Sequence, residues 1–404
     1  MLAALAIAAG LALPSPPPPP LTLAQAIAQA RAGSPLRAAP QSLILGTTEA
    51  AELAGRRLNP LLDVRVENLN WAGSTLPKDV FAVIGQPIEL GGKRDLRVAV
   101  ANADRAVAGG SLQVVDWQIA LRTAQLYIQA LKARGVLETL TTSRDDLATL
   151  IATMRRRVDE GYTAESDLLK FETESARMGI DIARSELDLR RSLNTLSYTM
   201  GASAPVDAAQ LVEPAAVAPP TLDAGGIAAA VVRHPEVLAA TARVERARQV
   251  SSLERARRIP DPIVTAGYKR TAGFDTALAG VTLSLPLFEK NGSAAARTAG
   301  EANAAAAERD ALAGRLASEA GTLITVAQTL TDRSLRAGRE LLEPADTVRN
   351  AARSSFREGT TDVLRLLDAE RVHGEVRRTA LTLRLDALAA SLEARFALGQ
   401  ETLP

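Results

Sequence analysis

The chain has 404 residues, enough for one large domain or about two to three ordinary ones. Its 47 basic and 46 acidic residues nearly balance, which argues against nucleic-acid binding, since that function needs a basic excess or a strongly basic face. It has no cysteine and only two histidines, which excludes a disulfide scaffold and leaves few ligands for a transition-metal site. Its many Ala, Leu, Glu and Arg residues, with 3% aromatic residues, are typical of long helices.

Residues 1–20 form an apolar and proline-rich leader, which we interpret as a signal peptide followed by a Pro-rich linker. The run from Leu2 to Leu13 has the length of a signal-peptide core and is too short to span a bilayer as a helix. Gly10 and Ala12 supply the small residues of a cleavage site. No basic residue follows Met1 before the run, so we expect a truncated or misplaced start, and a plain alanine-rich leader is the alternative.

The sequence repeats itself at an offset close to 200 residues. Five matches in the same order indicate an internal duplication. We therefore predict two repeats, 21–204 and 221–404, joined by a linker at 205–220. The matches are Ser34-Pro35 with His234-Pro235, Asn59-Pro60 with Pro260 and Pro262, Gln86-Pro87-Ile88 with Leu285-Pro286-Leu287, Glu160-Gly161 with Glu358-Gly359, and Asp167-Leu168-Leu169 with Arg365-Leu366-Leu367.

Each repeat contains two strand-like segments, predicted at about 59–72 and 79–90 and at about 260–272 and 276–288. Apolar and polar residues alternate along them, as in strands that differ between their two faces. In the last segment Ala277, Ala279, Val281, Leu283, Leu285 and Leu287 share one face, with Leu278 as the exception on the other. Clustered aromatic residues make these strands typical of a lipid-facing sheet, and an amphipathic hairpin of a soluble protein is the alternative. The aromatic residues are Trp71, Phe81, Tyr268, Phe274 and Phe288.

Each strand pair is followed by two long helical segments, predicted at about 92–160 and 162–200 and at about 292–358 and 361–398. At 1.5 Å per residue, a helix of roughly 65 residues reaches about 100 Å. Apolar residues at alternating spacings of three and four predict coiled-coil packing. In the second repeat this pattern comprises Leu312, Leu316, Leu323, Val326 and Leu330, with Glu319 as its polar member.

Gly161 and Gly359 are predicted to end the outgoing helices in the left-handed conformation and so to mark two hairpin tips. We expect Pro344 to kink the second outgoing helix. Thr163 and Thr361 are predicted to cap the returning helices through their side-chain oxygens.

Strand pairs, long coiled-coil hairpins and twofold duplication together resemble the TolC-like outer-membrane efflux family, over nearly the whole chain after the proline run. The local sequence is similar to the heavy-metal and cation efflux branch. The segments that carry this likeness are Asn59-Pro60, Glu67-Asn68, Gln86 to Arg94, Arg357-Glu358-Gly359 and Leu366 to Arg371.

The resemblance implies a mainly α fold with a membrane β-barrel, assembled as a homotrimer. Each protomer would contribute four strands to a twelve-stranded barrel and its antiparallel helical hairpins to a periplasmic tunnel. The implied function is a passive outer-membrane exit duct of a tripartite RND-type or type I secretion-like system, carrying small toxic solutes or metal cations. Its implied partners are a periplasmic adaptor (membrane-fusion) protein, an inner-membrane pump and outer-membrane lipid.

The resemblance also implies a periplasmic mouth narrowed by inward-bent tips with acidic rings. The gate candidates are Gly161, Asp167, Gly359, Asp362 and Asp368. A threefold axis turns one inward carboxylate into a ring of three, which favours cations. The alternative is that these carboxylates face solvent or complement the start of the returning helix.

Two further groups of residues are assigned roles. Three arginines precede the first tip as candidate contacts for the adaptor or pump, and a solvated helix end is the alternative. Four residues are expected to turn the backbone at the strand–helix junctions. The arginines are Arg155, Arg156 and Arg157, and the junction residues are Gly91, Gly92, Asn291 and Gly292.

Nothing in the sequence indicates catalysis, a cofactor or a resident metal. Gly91-Gly92-Lys93 lacks the spacing of a phosphate loop, because Pro87 stands where a glycine is needed. His234 is expected to serve a helix boundary and His373 to be solvated. The competing functional hypothesis is a periplasmic coiled-coil adaptor or scaffold. Two tandem hairpins, each preceded by an amphipathic strand pair, count against it.

Overall fold

A computed structural model describes residues 19–69 and 77–401. The predicted signal-peptide core and Trp71 lie outside the described residues. Most of the described chain is helical, and its four strands form one sheet. The elements of the first repeat are α1 (Leu23–Gly33), α2 (Ala38–Ala54), β1 (Leu61–Glu67), β2 (Asp79–Pro87), α3 (Lys93–Asp159) and α4 (Glu165–Thr199). Those of the second are α5 (Ala224–Val231), α6 (Pro235–Ala256), β3 (Ile263–Thr271), β4 (Phe274–Thr282), α7 (Gly292–Ala337), α8 (Glu343–Arg357) and α9 (Val363–Ala397).

The sheet is antiparallel throughout, in the order β1-β2-β3-β4, so β2 and β3 join the two repeats. The sequence predicts a fourth strand to about 288, whereas β4 ends at Thr282. Its described partner β3 begins at Ile263, which pairs with Thr282. Pro260 and Pro262 precede that position and have no N–H to continue the ladder.

The two repeats close in the same way. Ser34 and His234, 200 residues apart, both accept the backbone N–H two residues later, Ser34 at a short 3₁₀ turn (Pro35–Arg37) and His234 at the start of α6. Gly201 and Gly399 both have positive φ and lie against the start of their own repeat. A Cβ at Gly201 would lie 2.5 Å from the carbonyl oxygen of Gly33, and one at Gly399 would lie 3.1 Å from the Cα of His234. A returning helix therefore packs its end against the first helices of its repeat.

The outgoing helices are very long. The 67 residues of α3 correspond to about 100 Å. In the second repeat, a five-residue π-helical turn, Gly338–Leu342, separates α7 from α8, and Pro344 lies in the first turn of α8. Among the described residues, no helix is both long and apolar enough to cross a membrane.

The buried face of α7 agrees with the predicted pattern in part, since Leu316 is buried and Leu312, Leu323 and Leu330 pack against the same core. Within the predicted stretch, residues 312–330, the buried residues are Leu316, Ala320, Ile324 and Ala327, whereas the predicted Val326 is 42% exposed. Half of these buried residues are alanines, and the stretch shares one hydrophobic core with residues of α5, α6 and α9. The leucine spacing could not show this, since alanine is as common on the exposed side of such a helix.

The hydrophobic core around Trp117, Tyr127 and Phe396 connects the helices to the segment between the repeats. The Tyr127 hydroxyl lies 2.6 Å from the carbonyl oxygens of both Leu21 and Val212. Burial raises the pKa of this phenol, and the Val212 backbone bond opposes the rise. The Trp117 indole donates to the Phe396 carbonyl at 3.3 Å. These bonds hold the segment before α1, at Leu21, and the segment between the repeats, at Val212, against α3.

His234 is fully buried, and burial, with a smaller effect of Arg315, lowers its pKa to about 4. In the unfolded chain the pKa is about 6.5, so that state binds more protons between these values. The free energy of unfolding is therefore at its full value above pH 6.5. It falls by about 3 kcal/mol as the pH is lowered towards 4, because the unfolded chain takes up the proton first. His234→Ser, which copies Ser34, retains a capping oxygen and removes the titrating group. We expect it to flatten the pH dependence of thermal unfolding in this range, and an unchanged slope would contradict this assignment.

Candidate functional site

One face of the sheet is apolar and exposed, and we name it the apolar sheet face. Cross-strand partners place Leu62, Ile84, Ala266 and Ala279 in one row of this face. The next row is Val64, Ala82, Tyr268 and Ala277. Leu62 is 70% and Ile84 58% exposed. The predicted alternation is confirmed up to Val281, including the placement of Leu278 on the opposite face, whereas Leu283, Leu285 and Leu287 lie beyond the end of β4.

The opposite face carries charged and polar side chains. Arg65 and Lys269 lie over the ring of Phe81, with 5.5 Å and 4.9 Å to its centroid. Asp63 pairs with Arg65 at 3.1 Å. Within the described residues β1 and β4 are edge strands, each paired on one side. A sheet with one apolar face and two open edges needs further strands before it can lie in lipid.

A buried ion pair fixes the first strand–helix junction. The Lys93 side chain is 8% exposed, lies 2.7 Å from Asp261 Oδ1 and also donates to the carbonyl of Ile259. The backbone N–H of Leu90 donates to the same carboxylate at 2.8 Å. Lys93 belongs to the first repeat and Asp261 to the second, so this pair links β2 and α3 to the start of β3.

The backbone turns at the junctions are partly as predicted. Gly91 and Gly92 both have φ of 70°, the left-handed region that favours glycine. At the second junction the left-handed residue is Asn291, with φ of 53°, and Gly292 begins α7 as an ordinary helical residue. The Asn291 amide is held by the carbonyl and carboxylate of Glu254, each at 2.8 Å.

The helical hairpins turn at the predicted glycines. Gly161 and Gly359 have φ of 78° and 74°. The capping role predicted for Thr163 and Thr361 is wrong. The residue before α4 is Ala164, without a side-chain cap, and α9 is capped by Asp362, which accepts from the Arg365 N–H at 2.8 Å. Each returning helix begins at least one residue later than a threonine cap requires.

The remaining acidic gate candidates pair along their own helices. Asp167 lies 2.8 Å from Lys170, and Asp368 lies 3.0 Å from Arg371. Asp362 is occupied as a helix cap, which is the alternative considered for it. An acidic ring requires three chains around one axis, so the gate role of these carboxylates stays a prediction.

The arginines before the first tip differ in their surroundings. Arg155 pairs with Glu172 across the hairpin at 2.6 Å. Arg157 lies over the Phe356 ring, 4.6 Å from its centroid, and donates to the Phe356 carbonyl. Arg157 therefore joins the two hairpin tips of the chain. Arg156 is exposed, and it makes no ion pair within the described part of the chain.

The predicted solvation of His373 is wrong, because this side chain is buried between α8 and α9. Its Nε2 lies 2.8 Å from Asp346 Oδ1, and Arg349 Nη1 lies 3.3 Å from its Nδ1. Burial lowers the pKa of His373, while the hydrogen bond to Asp346 opposes this shift. In the described residues, no group of three or more His, Asp and Glu side chains could hold a metal ion.

The same cluster contains a second buried ion pair that sequence reasoning missed. Arg353 pairs in a bidentate manner with Glu370, whose side chain is 9% exposed, and lies 3.3 Å from Asp146 of α3. Three helices are thus linked below the second tip. The signal was available, since Arg349 and Arg353 are four residues apart and Glu370 and His373 three apart, so each pair shares a helix face.

The cap at the second tip can be tested with a matched pair of variants. Asp362→Ala removes the acceptor for the Arg365 N–H and should cost about 1 kcal/mol. Thr361→Ala, one residue earlier, should have almost no effect. Hydrogen exchange of the first-turn amides of α9 measures the difference, and equal exchange in the two variants would contradict the observed cap.

Comparisons with known proteins agree with this architecture. The model of the family described as outer membrane efflux protein matches residues 226–400. The chain is 28% identical over 353 residues to the cobalt-zinc-cadmium resistance protein CzcC of Cupriavidus metallidurans, which covers 84% of this chain and 81% of that protein. It is 29% identical over 274 residues to the nickel and cobalt resistance protein CnrC of the same organism, over 65% of this chain and 63% of that protein.

Solved structures share the fold at low sequence identity. The outer membrane protein VceC of Vibrio cholerae matches with a TM-score of 0.76 at 17% identity, over 94% of this chain and 96% of that one. The MtrE outer membrane channel of Neisseria gonorrhoeae matches with a TM-score of 0.75 at 13% identity, over 94% and 89%. With its paired sheet, helical hairpins and glycine tips, the chain resembles the outer membrane efflux protein family, whose model matches its second half over residues 226–400.

Proposed function

We propose that this chain is a passive outer-membrane exit duct of a tripartite efflux system and that its cargo is divalent transition-metal cations. The observation that supports the duct most directly is the exposed apolar sheet face, at the end of two helical hairpins whose outgoing arms are about 100 Å long. The names of the relatives CzcC and CnrC, both metal-resistance proteins, support the cargo. In this proposal the sheet lies in the outer membrane and the helices extend into the periplasm.

The proposed assembly is a homotrimer with one shared barrel of twelve strands. The two edge strands support it, because three copies joined β1 to β4 would satisfy every open edge. The tips around Gly161 and Gly359 would then meet at the periplasmic mouth. Asp167 and Asp368 remain candidates for the acidic ring there.

The proposed partners are a periplasmic adaptor and an inner-membrane pump. Arg156 is the best placed of the three arginines to meet an adaptor, since Arg155 and Arg157 contact this chain itself. An adaptor or scaffold role for the chain itself is less well supported. Both helical hairpins follow strands of the same sheet, and the apolar face of this sheet is exposed, as a lipid-facing sheet requires.

The test uses cells that hold a cobalt–zinc–cadmium pump and adaptor but lack the outer component. Expression of the chain should give heat-resistant trimers in the outer-membrane fraction, conductance in planar bilayers and restored metal resistance. A soluble monomer after fractionation would refute the duct. Conducting trimers without restored resistance would refute the cargo alone. Removal of residues 275–288 should abolish insertion, whereas a scaffold would keep its partner binding.

A further inference from the structure

Exposed basic side chains form a belt at the end of the sheet where its strands meet the helices. They come from the ends of α2 and α6 and from the two junctions that lead into α3 and α7. We name them the basic belt, which comprises Arg56, Arg57, Arg94, Arg255, Arg258 and Lys290.

Hydrogen bonds show that these segments lie side by side. Arg94 Nε donates to the Gly55 carbonyl at 2.6 Å, which joins the end of α2 to the start of α3. Lys93 joins the start of α3 to Asp261, after the end of α6. Asn291 joins the start of α7 to Glu254, within the last turn of α6. The belt is therefore continuous across the full width of the sheet.

Three carboxylates of the same segments are neutralised within the fold. Glu89 pairs with Arg97 at 2.6 Å, Asp261 with Lys93 at 2.7 Å, and Glu254 with Arg257 at 2.6 Å. Glu52, Asp95 and Glu289 form no ion pair within the described residues and offset part of the positive charge, and Glu289 accepts the Gly292 N–H at 3.0 Å.

The exposed basic residues retain their charge for a partner. Arg56, Arg57, Arg258 and Lys290 form no ion pair with a carboxylate among residues 19–69 and 77–401. The surface of the belt is therefore positive although the chain as a whole carries a net charge of only +1.

Exposed apolar side chains lie beside the belt. Leu58 is 40% and Ile259 44% exposed, and Leu285 and Phe288 are 69% and 100% exposed. Cationic residues next to apolar and aromatic ones are characteristic of the bilayer interface, where the charge reaches the headgroups and the apolar part enters the lipid. The proposed function, on which this inference rests, places the belt at the periplasmic surface of the outer membrane.

We propose that the basic belt binds the phosphate groups of anionic phospholipids in the periplasmic leaflet. Arginine matches phosphate geometry through paired N–H donors, and basic residues near an anionic bilayer surface are attracted electrostatically. The belt would fix the height of the protein in the membrane and so the reach of its helices into the periplasm.

The test measures the lipid that stays with the trimer. Wild-type trimer is reconstituted in vesicles of phosphatidylcholine with phosphatidylglycerol, solubilised and purified, and the retained lipid is quantified by mass spectrometry. We expect at least threefold enrichment of phosphatidylglycerol over its share of the vesicle, falling at high salt. The fourfold variant Arg56→Gln, Arg57→Gln, Arg258→Gln, Lys290→Gln should lose the enrichment.

A matched variant controls for net charge. Arg184→Gln, Arg190→Gln, Arg191→Gln and Arg333→Gln remove four exposed charges from the long helices and should retain the enrichment.

Conductance in neutral bilayers separates this inference from the proposed function. The belt variant should conduct like the wild type. Retained enrichment of phosphatidylglycerol in the belt variant would overturn the proposal. Altered ion selectivity with an unchanged amount of retained lipid would also overturn it, because that result would place the belt in the lumen. If wild-type trimers retain phosphatidylglycerol but do not conduct, the duct fails and lipid binding stands.

Discussion

Replacing Ala279 with arginine is expected to reduce the outer-membrane trimer at least tenfold. Ala279 lies in the middle of β4 on the apolar sheet face, in the row of Leu62, Ile84 and Ala266. A basic side chain facing lipid near the midplane costs about 2–4 kcal/mol, and a trimer would carry three. Quantitative immunoblotting of heat-resistant trimer in isolated outer membranes measures the effect.

The adjacent residue provides the control. Leu278 lies on the opposite face of β4, across from Gly267, whose lack of a side chain leaves space. Leu278→Arg has the same charge on the same strand, but faces the side that carries Asp63 and Lys269. We expect near-normal trimer and altered ion selectivity. Equal loss in both variants would show that the sheet has no lipid-facing side and would count against the duct.

Arg353→Met is expected to loosen the second hairpin tip. It leaves the Glu370 carboxylate buried without its bidentate partner, at a cost of about 3 kcal/mol. The protection of backbone amides in α8 and α9 should then fall by about 100-fold in hydrogen exchange, because local opening becomes easier. Asp146 retains Arg349, 3.6 Å away, so the first hairpin should be less affected.

Two further variants distinguish a buried ion pair from general damage. Arg353→Met combined with Glu370→Met replaces both charges by apolar groups and should recover much of the lost protection, since no buried charge remains unpaired. Arg371→Met breaks the pair of Arg371 with Asp368, in which the two side chains are 57% and 64% exposed. It should cost no more than about 1 kcal/mol. Failure of the double variant to recover would point to packing rather than charge.

The features predictable from the sequence were those with a strict spacing or a special backbone. The duplication placed both tips, because Gly161 and Gly359 are needed where the chain adopts positive φ. Alternation assigned the sheet faces, because neighbouring residues of a strand point to opposite sides. These signals depend on local chemistry alone.

Features that depend on contacts between distant segments were missed. The burial of His373 follows from the packing of α8 on α9, and the link from Arg157 to Phe356 joins residues 199 apart. The end of β4 at Thr282 was set by the prolines before its partner strand. The threonine caps failed by one residue, within the usual uncertainty of helix boundaries.

The π-helical turn at Gly338–Leu342 keeps the same side of the helix buried before and after it. Ala337 and Ala345 flank it and are both buried, although Leu341 between them is 38% exposed. Positions eight apart on a regular α-helix differ by about 80°, whereas positions seven apart differ by only about 20°. A π turn absorbs one extra residue, so the two alanines are aligned as if they were seven apart. Deletion of one residue would therefore be tolerated here, while elsewhere in these helices it would rotate the residues beyond it out of register.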